Sequence, residues 1–269
     1  MRGLPFFICL VLIVSTASAE DFCTTLSKKL RTVTYSGCKG LTLQPSGHTS
    51  IEGIPLMARR VRPQTPVPSR ILFLGGIHGD EWASVSLSYL WLQNLIEQQP
   101  HLRHDWLVVP VVNPDGLFRR PSQRTNARGV DLNRNFPSPD WHTHAHNWWQ
   151  QFKRRNPRYY PGPAPASEPE TRYVLSLIRN FQPHIIIALH APYKLLDYDG
   201  PHHIIVPQKL GPLKLRQLGT YPGSLGRYAG EYLHIPVLTI ELASAANMPT
   251  RQQIQSMWQD LAHWLDKIR

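Results

Sequence analysis

Two histidines and two glutamates stand where reactive side chains are often found, at or just beyond the ends of apolar segments. His78 and Glu81 follow one such segment, His190 ends a second, and Glu241 lies at the end of a third. His78 and Glu81 are three residues apart, so at the entry to a helix they would occupy neighbouring positions of one face. A His-x-x-Glu pair is by itself a weak signal, because such pairs arise by chance in many chains.

Together these side chains have the chemistry of a catalytic zinc site. Two imidazoles and one carboxylate, from His78, Glu81 and His190, would form a three-ligand set that leaves the fourth zinc position to water. Zinc makes such a water much more acidic, and Glu241 is a spare carboxylate that could accept the proton. The pattern therefore predicts one Zn²⁺ per chain and hydrolytic chemistry.

A basic segment lies between these residues in the sequence. After an Asn-Pro-Asp-Gly turn at 113–116, residues 124–136 read Arg-Thr-Asn-Ala-Arg-Gly-Val-Asp-Leu-Asn-Arg-Asn-Phe. A guanidinium can bind a carboxylate through two hydrogen bonds or stabilise an oxyanion. A solvated basic loop would also be rich in arginine, but it would not explain Asn-Arg-Asn beside a predicted metal site.

The segments that must position these groups alternate between strand-like and helix-like patterns. This alternation is typical of a single-domain, three-layer α/β/α fold with a mixed, largely parallel central sheet. Continuous apolar runs indicate strands that are covered on both faces. The predicted strands cover residues 70–75, 107–113, 184–190, 202–206 and 237–242. Two proline-rich stretches, 55–68 and 157–169, are predicted to be surface loops of the same domain. Since ligands bind beyond the carboxyl ends of such strands, we expect the reactive side chains in one crevice.

Helical periodicity predicts three helices between these strands. The first covers residues 81–98. The second begins at Ser167, which forms a capping-box pattern with Glu170, and the third begins at Thr250, which has Gln253 in the same relation. Apolar residues recur at helical spacing in the third helix, so that face is expected to be core.

The first residues have the pattern of a targeting segment. Arg2 precedes an apolar run at 4–14, and Ala17-Ser18-Ala19 resembles a cleavage site. The run is shorter than the roughly 20 apolar residues that a membrane-spanning helix needs. We therefore predict a signal peptide at 1–19 and an exported protein, periplasmic or secreted, with no stable membrane span.

An N-terminal arm at 20–69 is predicted to lead into the main domain at 70–269. Cys23 and Cys38 lie in this arm, and an even pair of cysteines in an oxidising compartment suggests a disulfide bond. Two free thiols are the alternative. No oligomeric state is predicted.

The chain carries a strong positive charge. Lys and Arg number 29 and Asp and Glu number 18, which gives a net charge of +11. Such a surface attracts anionic partners, which for an exported protein are cell-wall polymers, acidic peptides or anionic lipid rather than nucleic acid. The alternative is a charge that serves only solubility.

The ordered motifs resemble the zinc carboxypeptidases of the carboxypeptidase A type. The resemblance covers about residues 72–242 and rests on His78–Glu81, Asn-Pro-Asp-Gly, Gly-Val-Asp-Leu-Asn-Arg-Asn-Phe, His190 and the Thr-Ile-Glu-Leu around Glu241. Five motifs in this order make a specific match, although each alone would be only a hypothesis. The resemblance implies a carboxypeptidase-like fold, zinc on the two histidines and the first glutamate, and a second glutamate that activates the attacking water.

The resemblance also implies substrate-binding residues. An arginine is expected to polarise the scissile carbonyl, and Arg124 and Arg128 both qualify. We prefer Arg124, because in similar members the arginine stands five residues before the glycine of Gly-Val-Asp-Leu-Asn-Arg, as it does here. Asn133 and Arg134 match the pair that binds the terminal carboxylate of the substrate, and Tyr221 is the candidate for the family's mobile tyrosine.

Some features differ from the digestive members of that family. Asp80 stands where those enzymes carry an arginine, and the chain after His190 is compact. These features look like the bacterial murein-peptide amidase branch, which cleaves between γ-D-glutamate and meso-diaminopimelate in cell-wall peptides. The expected activity is therefore hydrolysis of an amide bond next to a free carboxylate in a wall-derived peptide. A zinc deacylase of N-acyl amino acids and a non-catalytic binder of wall peptides are the alternatives.

Three further histidines, His142, His144 and His146, alternate in a Trp-rich segment. On a strand they would face one side and could form a second metal site. We favour an aromatic loop near the rim of the crevice instead.

Overall fold

The computed structural model of the protein describes residues 19–64 and 69–268. Within these residues the strands are β1 Gln44–Thr49, β2 Pro55–Val61, β3 Arg70–Leu74, β4 Asp105–Val109, β5 Ile185–His190, β6 Leu195–Asp199, β7 Lys209–Leu210, β8 Leu213–Lys214 and β9 Val237–Glu241. The α-helices are α1 Ala19–Lys29, α2 Tyr35–Gly40, α3 Trp82–Glu97, α4 Pro114–Phe118, α5 His146–Gln151, α6 Pro169–Phe181 and α7 Arg251–Leu265. Short 3₁₀ or π turns lie at Gln99–His101, Leu132–Arg134, Trp141–Ala145, Pro157–Tyr159 and Gly226–Tyr232.

Seven of these strands form one mixed sheet in the order β1-β2-β4-β3-β5-β9-β6. The central strands β4, β3, β5 and β9 are parallel, and α3 makes the crossover from β3 to β4. Antiparallel strands complete both edges, β1 and β2 on one side and β6 on the other. The predicted mixed, largely parallel sheet is confirmed.

Helices cover both faces of this sheet. Alternate residues of a central strand enter two different cores: in β3, Ile71 and Phe73 pack with α3 and α7, whereas Leu72 and Leu74 pack with α6 and the Gly226–Tyr232 turn. Burial on both faces explains why the central strands read as continuous apolar runs. The predicted three-layer arrangement follows from this packing.

Local signals determine where the flanking helices begin. Thr250 Oγ1 accepts a hydrogen bond from the Gln253 backbone N–H, and the Gln253 side chain accepts one from the Thr250 N–H, so the predicted capping box opens α7. The prediction of a capping box at Ser167 is wrong. The helix begins two residues later at Pro169, and Ser167 Oγ donates to the side chain of Glu168 instead. Proline suits the first helical position, where an N–H would have no partner within the helix.

The strand predicted at 202–206 is also wrong. Pro201 and Pro207 flank the segment and cannot donate a ladder hydrogen bond. Ile205 is 83% exposed and only Ile204 of this segment packs against the core, so the segment is not buried as a central strand would be. The neighbour of β9 is instead β6, which runs antiparallel to it.

The proline-rich stretches differ from each other. Residues 55–68 were predicted to be a surface loop, but β2 occupies the first part of the stretch and buries Leu56 and Met57. Residues 157–169 lie outside helices and strands up to Pro169, apart from the Pro157–Tyr159 turn, as predicted.

The N-terminal arm is joined to itself by a disulfide bond. Cys23 of α1 and Cys38 of α2 form the predicted bridge, with their Cα atoms 5.5 Å apart. The predicted targeting segment 1–19 lies outside the described residues, except for Ala19, the first residue of α1. Among the described residues, no helix combines the length and the apolar character needed to cross a membrane.

Candidate active site

The parallel strands bring the four predicted reactive residues to one edge of the sheet. His190 and Glu241 are the last residues of β5 and β9 and lie side by side in register. His78 and Glu81 lie on the loop between β3 and α3. All four side chains are buried and line one pocket.

The loop that carries His78 and Glu81 is packed against a second loop. A Cβ atom at Gly79 would lie 2.2 Å from the carbonyl carbon of Gly116, so only glycine allows this approach. The Gly79 N–H donates to the backbone oxygen of Arg124. These contacts fasten the predicted ligands to the chain that carries the arginine.

Three of the buried side chains can hold a metal ion. The Nδ1 atom of His78 lies 2.7 Å from Glu81 Oε1 and 3.1 Å from Nδ1 of His190, which is 3.1 Å from Glu81 Oε2. Within the described chain, this is the only group of three or more such side chains whose ligand atoms converge. Two ligands of a tetrahedral zinc ion with bonds of 2.0–2.1 Å are about 3.3 Å apart, so these residues fit the ion closely.

The protonation of the ligands also suits a metal. Burial raises the pKa of Glu81, but the imidazoles of His78 and His190 more than offset it and hold that pKa well below its usual range. Burial and Arg124 lower the pKa of His78, whereas Glu81 and Asp131 raise it, and the rise prevails. Glu81 is therefore an ionised ligand, and a metal would compete with a proton for His78.

Asp131 orients this centre, and sequence reasoning gave it no role. Its Oδ1 atom accepts a hydrogen bond from His78 Nε2 at 3.2 Å, and its Oδ2 atom accepts one from Arg124 Nε at 2.9 Å. Burial raises the pKa of Asp131, but Arg124 and His78 lower that pKa by a larger amount, so the carboxyl is ionised. Such a carboxylate fixes the imidazole ring so that Nδ1 faces the metal position. The available signal was its place inside the Gly-Val-Asp-Leu-Asn-Arg segment.

The two candidate arginines occupy different environments. Arg124 Nη1 lies 3.1 Å from His78 Nδ1 and 3.5 Å from Glu81 Oε1, and its guanidinium lies over the Tyr159 ring. The side chain of Arg128 is 57% exposed, and its nearest carboxylate is Glu168 at 3.9 Å. Arg124 lines the pocket and Arg128 does not.

Asn133, Arg134 and Tyr221 lie in the same pocket. Arg134 is buried, its guanidinium lies 4.6 Å from the Tyr221 ring, and its Nε has no hydrogen-bond partner among the described residues. Asn133 Oδ1 accepts the backbone N–H of Leu225 at 2.8 Å, which fixes the asparagine. A buried guanidinium with a free donor suits a carboxylate ligand.

Glu241 is buried beside the metal ligands. Its Oε2 atom accepts a long hydrogen bond of 3.4 Å from the Tyr193 N–H. Burial raises the pKa of Glu241 and the Glu81 carboxylate adds to the rise, whereas His190 opposes it. A carboxyl with a raised pKa is a stronger base than an ordinary one.

A row of cross-strand neighbours forms the floor of the pocket. Ala188 of β5 pairs with Thr239 of β9, which pairs with Asp197 of β6. Its member on β9, Thr239, lies two residues before Glu241, so the row faces the same side of the sheet as Glu241. Asp199, two residues beyond Asp197, faces the pocket as well.

Sequence reasoning gave these two aspartates no role. Asp197 is 5% exposed and accepts the Leu218 N–H. Burial raises the pKa of Asp199 to about 7, with Asp197 and Glu231 adding to the effect. Burial raises the pKa of Asp197 as well. No cation of the described residues forms an ion pair with either carboxyl.

The histidine-rich segment forms no second metal site within the described chain. Instead of a strand it forms the Trp141–Ala145 turn and the start of α5, and its His142 and His144 side chains are exposed. His146 packs edge-on against Trp149 and Tyr160. The favoured interpretation was an aromatic loop near the rim of the crevice. The loop is wrong, because the segment is helical, whereas the aromatic character agrees with these contacts.

Comparison with known proteins identifies the family. A family model described as zinc carboxypeptidase, peptidase family M14, matches residues 37–204. The chain belongs to the zinc carboxypeptidase family. Murein peptide amidase A of Escherichia coli K12 is 31% identical over 203 residues, which cover 73% of this chain and 80% of the relative. The Vibrio campbellii protein of the same name is 32% identical over 200 residues, covering 72% and 76%.

Solved structures agree with this family. The crystal structure of murein-tripeptide amidase MpaA from Escherichia coli O157 superposes with a TM-score of 0.56 at 28% identity, covering 83% of this chain and 90% of that one. Carboxypeptidase A from Helicoverpa armigera shares the fold, with a TM-score of 0.65 at 17% identity, covering 92% and 71%. The predicted carboxypeptidase-like fold is confirmed, and family and relatives together indicate a hydrolase that acts on peptides.

Proposed function

We propose that this zinc carboxypeptidase family member cleaves the amide bond between γ-D-glutamate and meso-diaminopimelate in wall-derived peptides. In this proposal it is exported, to the periplasm or the medium, and holds one zinc ion per chain. The names of its relatives, murein peptide amidase A and murein-tripeptide amidase, support this substrate class. The pattern at 1–19 and the Cys23–Cys38 bridge support export.

One observation carries the proposal: the pocket contains a cation suited to a carboxylate of the substrate and two carboxyls suited to a cationic group of the substrate. Arg134 offers an unpartnered donor, while Asp197 and Asp199 have no cationic partner among the described residues. The diaminopimelate that leaves this bond has a free α-carboxylate and a side chain whose far end carries an ammonium group beside a second carboxylate. The Asp197 row is two residues from the Glu241 row, about 7 Å at the rise of a strand, close to the length of that extended side chain.

The residues of the pocket divide the chemistry among them. A zinc ion held by His78, Glu81 and His190 would supply the Lewis acidity that makes water nucleophilic and polarises the carbonyl. Glu241 accepts a proton from the attacking water and returns it to the amine as the carbon–nitrogen bond breaks. Arg124 donates to the carbonyl oxygen as negative charge develops there.

Other residues of the pocket hold the substrate. Asn133 and Arg134 bind the α-carboxylate of the leaving residue, and Tyr221 covers Arg134. Asp131 keeps His78 and Arg124 in place.

The test uses a defined tripeptide. The purified protein is incubated with L-Ala-γ-D-Glu-meso-diaminopimelate, with and without a chelator, and the products are identified by mass spectrometry. We expect free diaminopimelate and the dipeptide, no products with chelator, and recovery when zinc is added. Release of free acid from N-acyl-aspartate, with the tripeptide left intact, would instead favour the deacylase. Binding of the tripeptide without cleavage would favour the non-catalytic alternative.

The predicted export has its own test. The protein is expressed in a bacterial host with periplasm and medium collected separately, and its N-terminus is sequenced. We expect the exported fraction to begin at Glu20, directly after the predicted cleavage site. Retention of an intact N-terminus in the cytoplasm would refute export.

A further inference from the structure

A lysine at the mouth of the pocket has no role in the chemistry described above. Lys153 lies just after α5 and lines the pocket. Its Nζ atom is 5.0 Å from the centre of the Trp148 ring and 4.8 Å from that of Tyr159. Two aromatic faces therefore hold the ammonium group in place. No carboxylate of the described chain forms an ion pair with it.

The same two rings relate Lys153 to the arginines of the site. The Trp148 ring lies 5.0 Å from the guanidinium of Arg134, and the Tyr159 ring lies 5.3 Å from that of Arg124. Lys153 thus contacts the same two rings as the cation proposed for the leaving carboxylate and the cation proposed for the scissile carbonyl, and all three side chains line one pocket.

The other cations of the pocket are already engaged. Arg124 is paired with Asp131 and Glu81, and Arg158 is paired with Asp80. Arg134 forms no ion pair with a carboxylate of the described residues, but the proposed function gives it the leaving residue. Lys153 is therefore the cation that remains for a second carboxylate on the substrate.

The chemistry of a γ-linked glutamate supplies such a carboxylate. When the side-chain carboxyl forms the amide bond, the α-carboxyl stays free on the acyl side of the scissile carbonyl. We propose that Lys153 binds this acyl-side carboxylate and so selects a γ-linked acidic residue over its uncharged α-amide. The inference rests on the proposed function, because it assumes that the γ-D-Glu bond is the one cleaved.

The experiment pairs a protein variant with a substrate variant. The full-length protein and Lys153→Met are assayed on L-Ala-γ-D-Glu-meso-diaminopimelate and on the same peptide with the glutamate α-carboxyl converted to an amide. The ratio of kcat/KM for acid over amide is the measured quantity. We expect a ratio of about ten for the parent protein, the effect of one charge-assisted contact at a partly exposed site, and a ratio near one for Lys153→Met. Lys153→Arg should retain most of the preference.

A neighbouring residue provides the matched control. Arg154 is the next residue, is exposed, and does not line the pocket, so Arg154→Met removes one positive charge without removing the proposed contact. We expect it to keep the parent ratio. A Lys153→Met variant that keeps the parent ratio, or an Arg154→Met variant that loses it equally, would overturn the inference while leaving the proposed function intact. A parent protein that cleaves neither peptide would overturn both.

Discussion

The carboxyl pair on the pocket floor allows a quantitative prediction. Asp199→Asn keeps the size of the side chain and removes its charge. Two unit charges about 4 Å apart attract by about 4 kcal/mol at the effective dielectric of a protein surface site. Asp197 remains in the variant and keeps part of that attraction, so we expect a loss of about 2 kcal/mol. This corresponds to a roughly thirty-fold lower kcat/KM on the diaminopimelate peptide at pH 8.

The pH dependence follows from the same residue. Burial raises the pKa of Asp199 to about 7, so its carboxyl is ionised above that pH and neutral below it. The attraction for an ammonium group is therefore complete above pH 7 and is lost as the pH falls through 7. Since kcat/KM reports the groups of the free enzyme, we expect it to fall between pH 8 and pH 6 more steeply for the parent protein than for Asp199→Asn.

The assay compares two peptides that differ at one group. One is L-Ala-γ-D-Glu-meso-diaminopimelate and the other carries an acetyl group on the side-chain amine, which removes its charge. We expect Asp199→Asn to reduce the preference for the charged peptide. Asp266→Asn is the charge control, because Asp266 pairs with Arg103 and does not line the pocket. An equal loss on both peptides, or an unchanged preference, would refute the assigned role of the floor.

Three further predictions concern buried groups. Glu241→Gln should lower kcat by about 10²–10⁴-fold while metal content, measured by elemental analysis, stays the same; near-normal turnover would exclude it as the base. Gly226→Ala should reduce the preference for the ammonium group in the two-peptide assay, because the new Cβ would lie 1.9 Å from Asp199 Oδ2 and displace that carboxyl; an intact preference would contradict that packing. Glu170 has its pKa raised to about 7, chiefly by burial, from an ordinary 4.5. Its contribution to stability is therefore present below pH 4.5 and is lost as the pH rises to 7. Between pH 4.5 and pH 8, the free energy of unfolding measured in urea should fall by about 3 kcal/mol less for Glu170→Gln than for the parent protein. Parallel curves of unfolding free energy against pH would contradict this prediction.

The metal ligands could be predicted because the signals for their positions are local. His190 and Glu241 end continuous apolar runs, and such runs indicate buried parallel strands whose carboxyl ends meet at one edge. The loop from His78 to Glu81 follows a third run of the same kind. The order of the strands in the sheet was not needed for this inference.

The floor of the pocket could not be predicted in the same way. In β6 the Asp197 and Asp199 side chains alternate with apolar ones, a pattern that usually indicates one face open to water. Only the pairing of β6 with β9 turns that face into the pocket. The segment at 202–206 shows the opposite error. Its apolar run predicted a strand, but the segment lies between two prolines and pairs with no strand of the described residues. Asp131 was missed because its partner His78 is 53 residues away in the chain.

In the proposed function, the pleat of β9 keeps bond cleavage apart from the choice of leaving group. The side chains of Glu241 and Thr239 face the same side of the sheet, but Glu241 pairs with His190 and Thr239 pairs with Asp197. Replacing residues in the row of Thr239 can alter the length or charge of the side chain that is accepted, and the reacting atoms in the row of Glu241 stay where they are. A scaffold of this kind can acquire new substrates without rebuilding its catalytic apparatus.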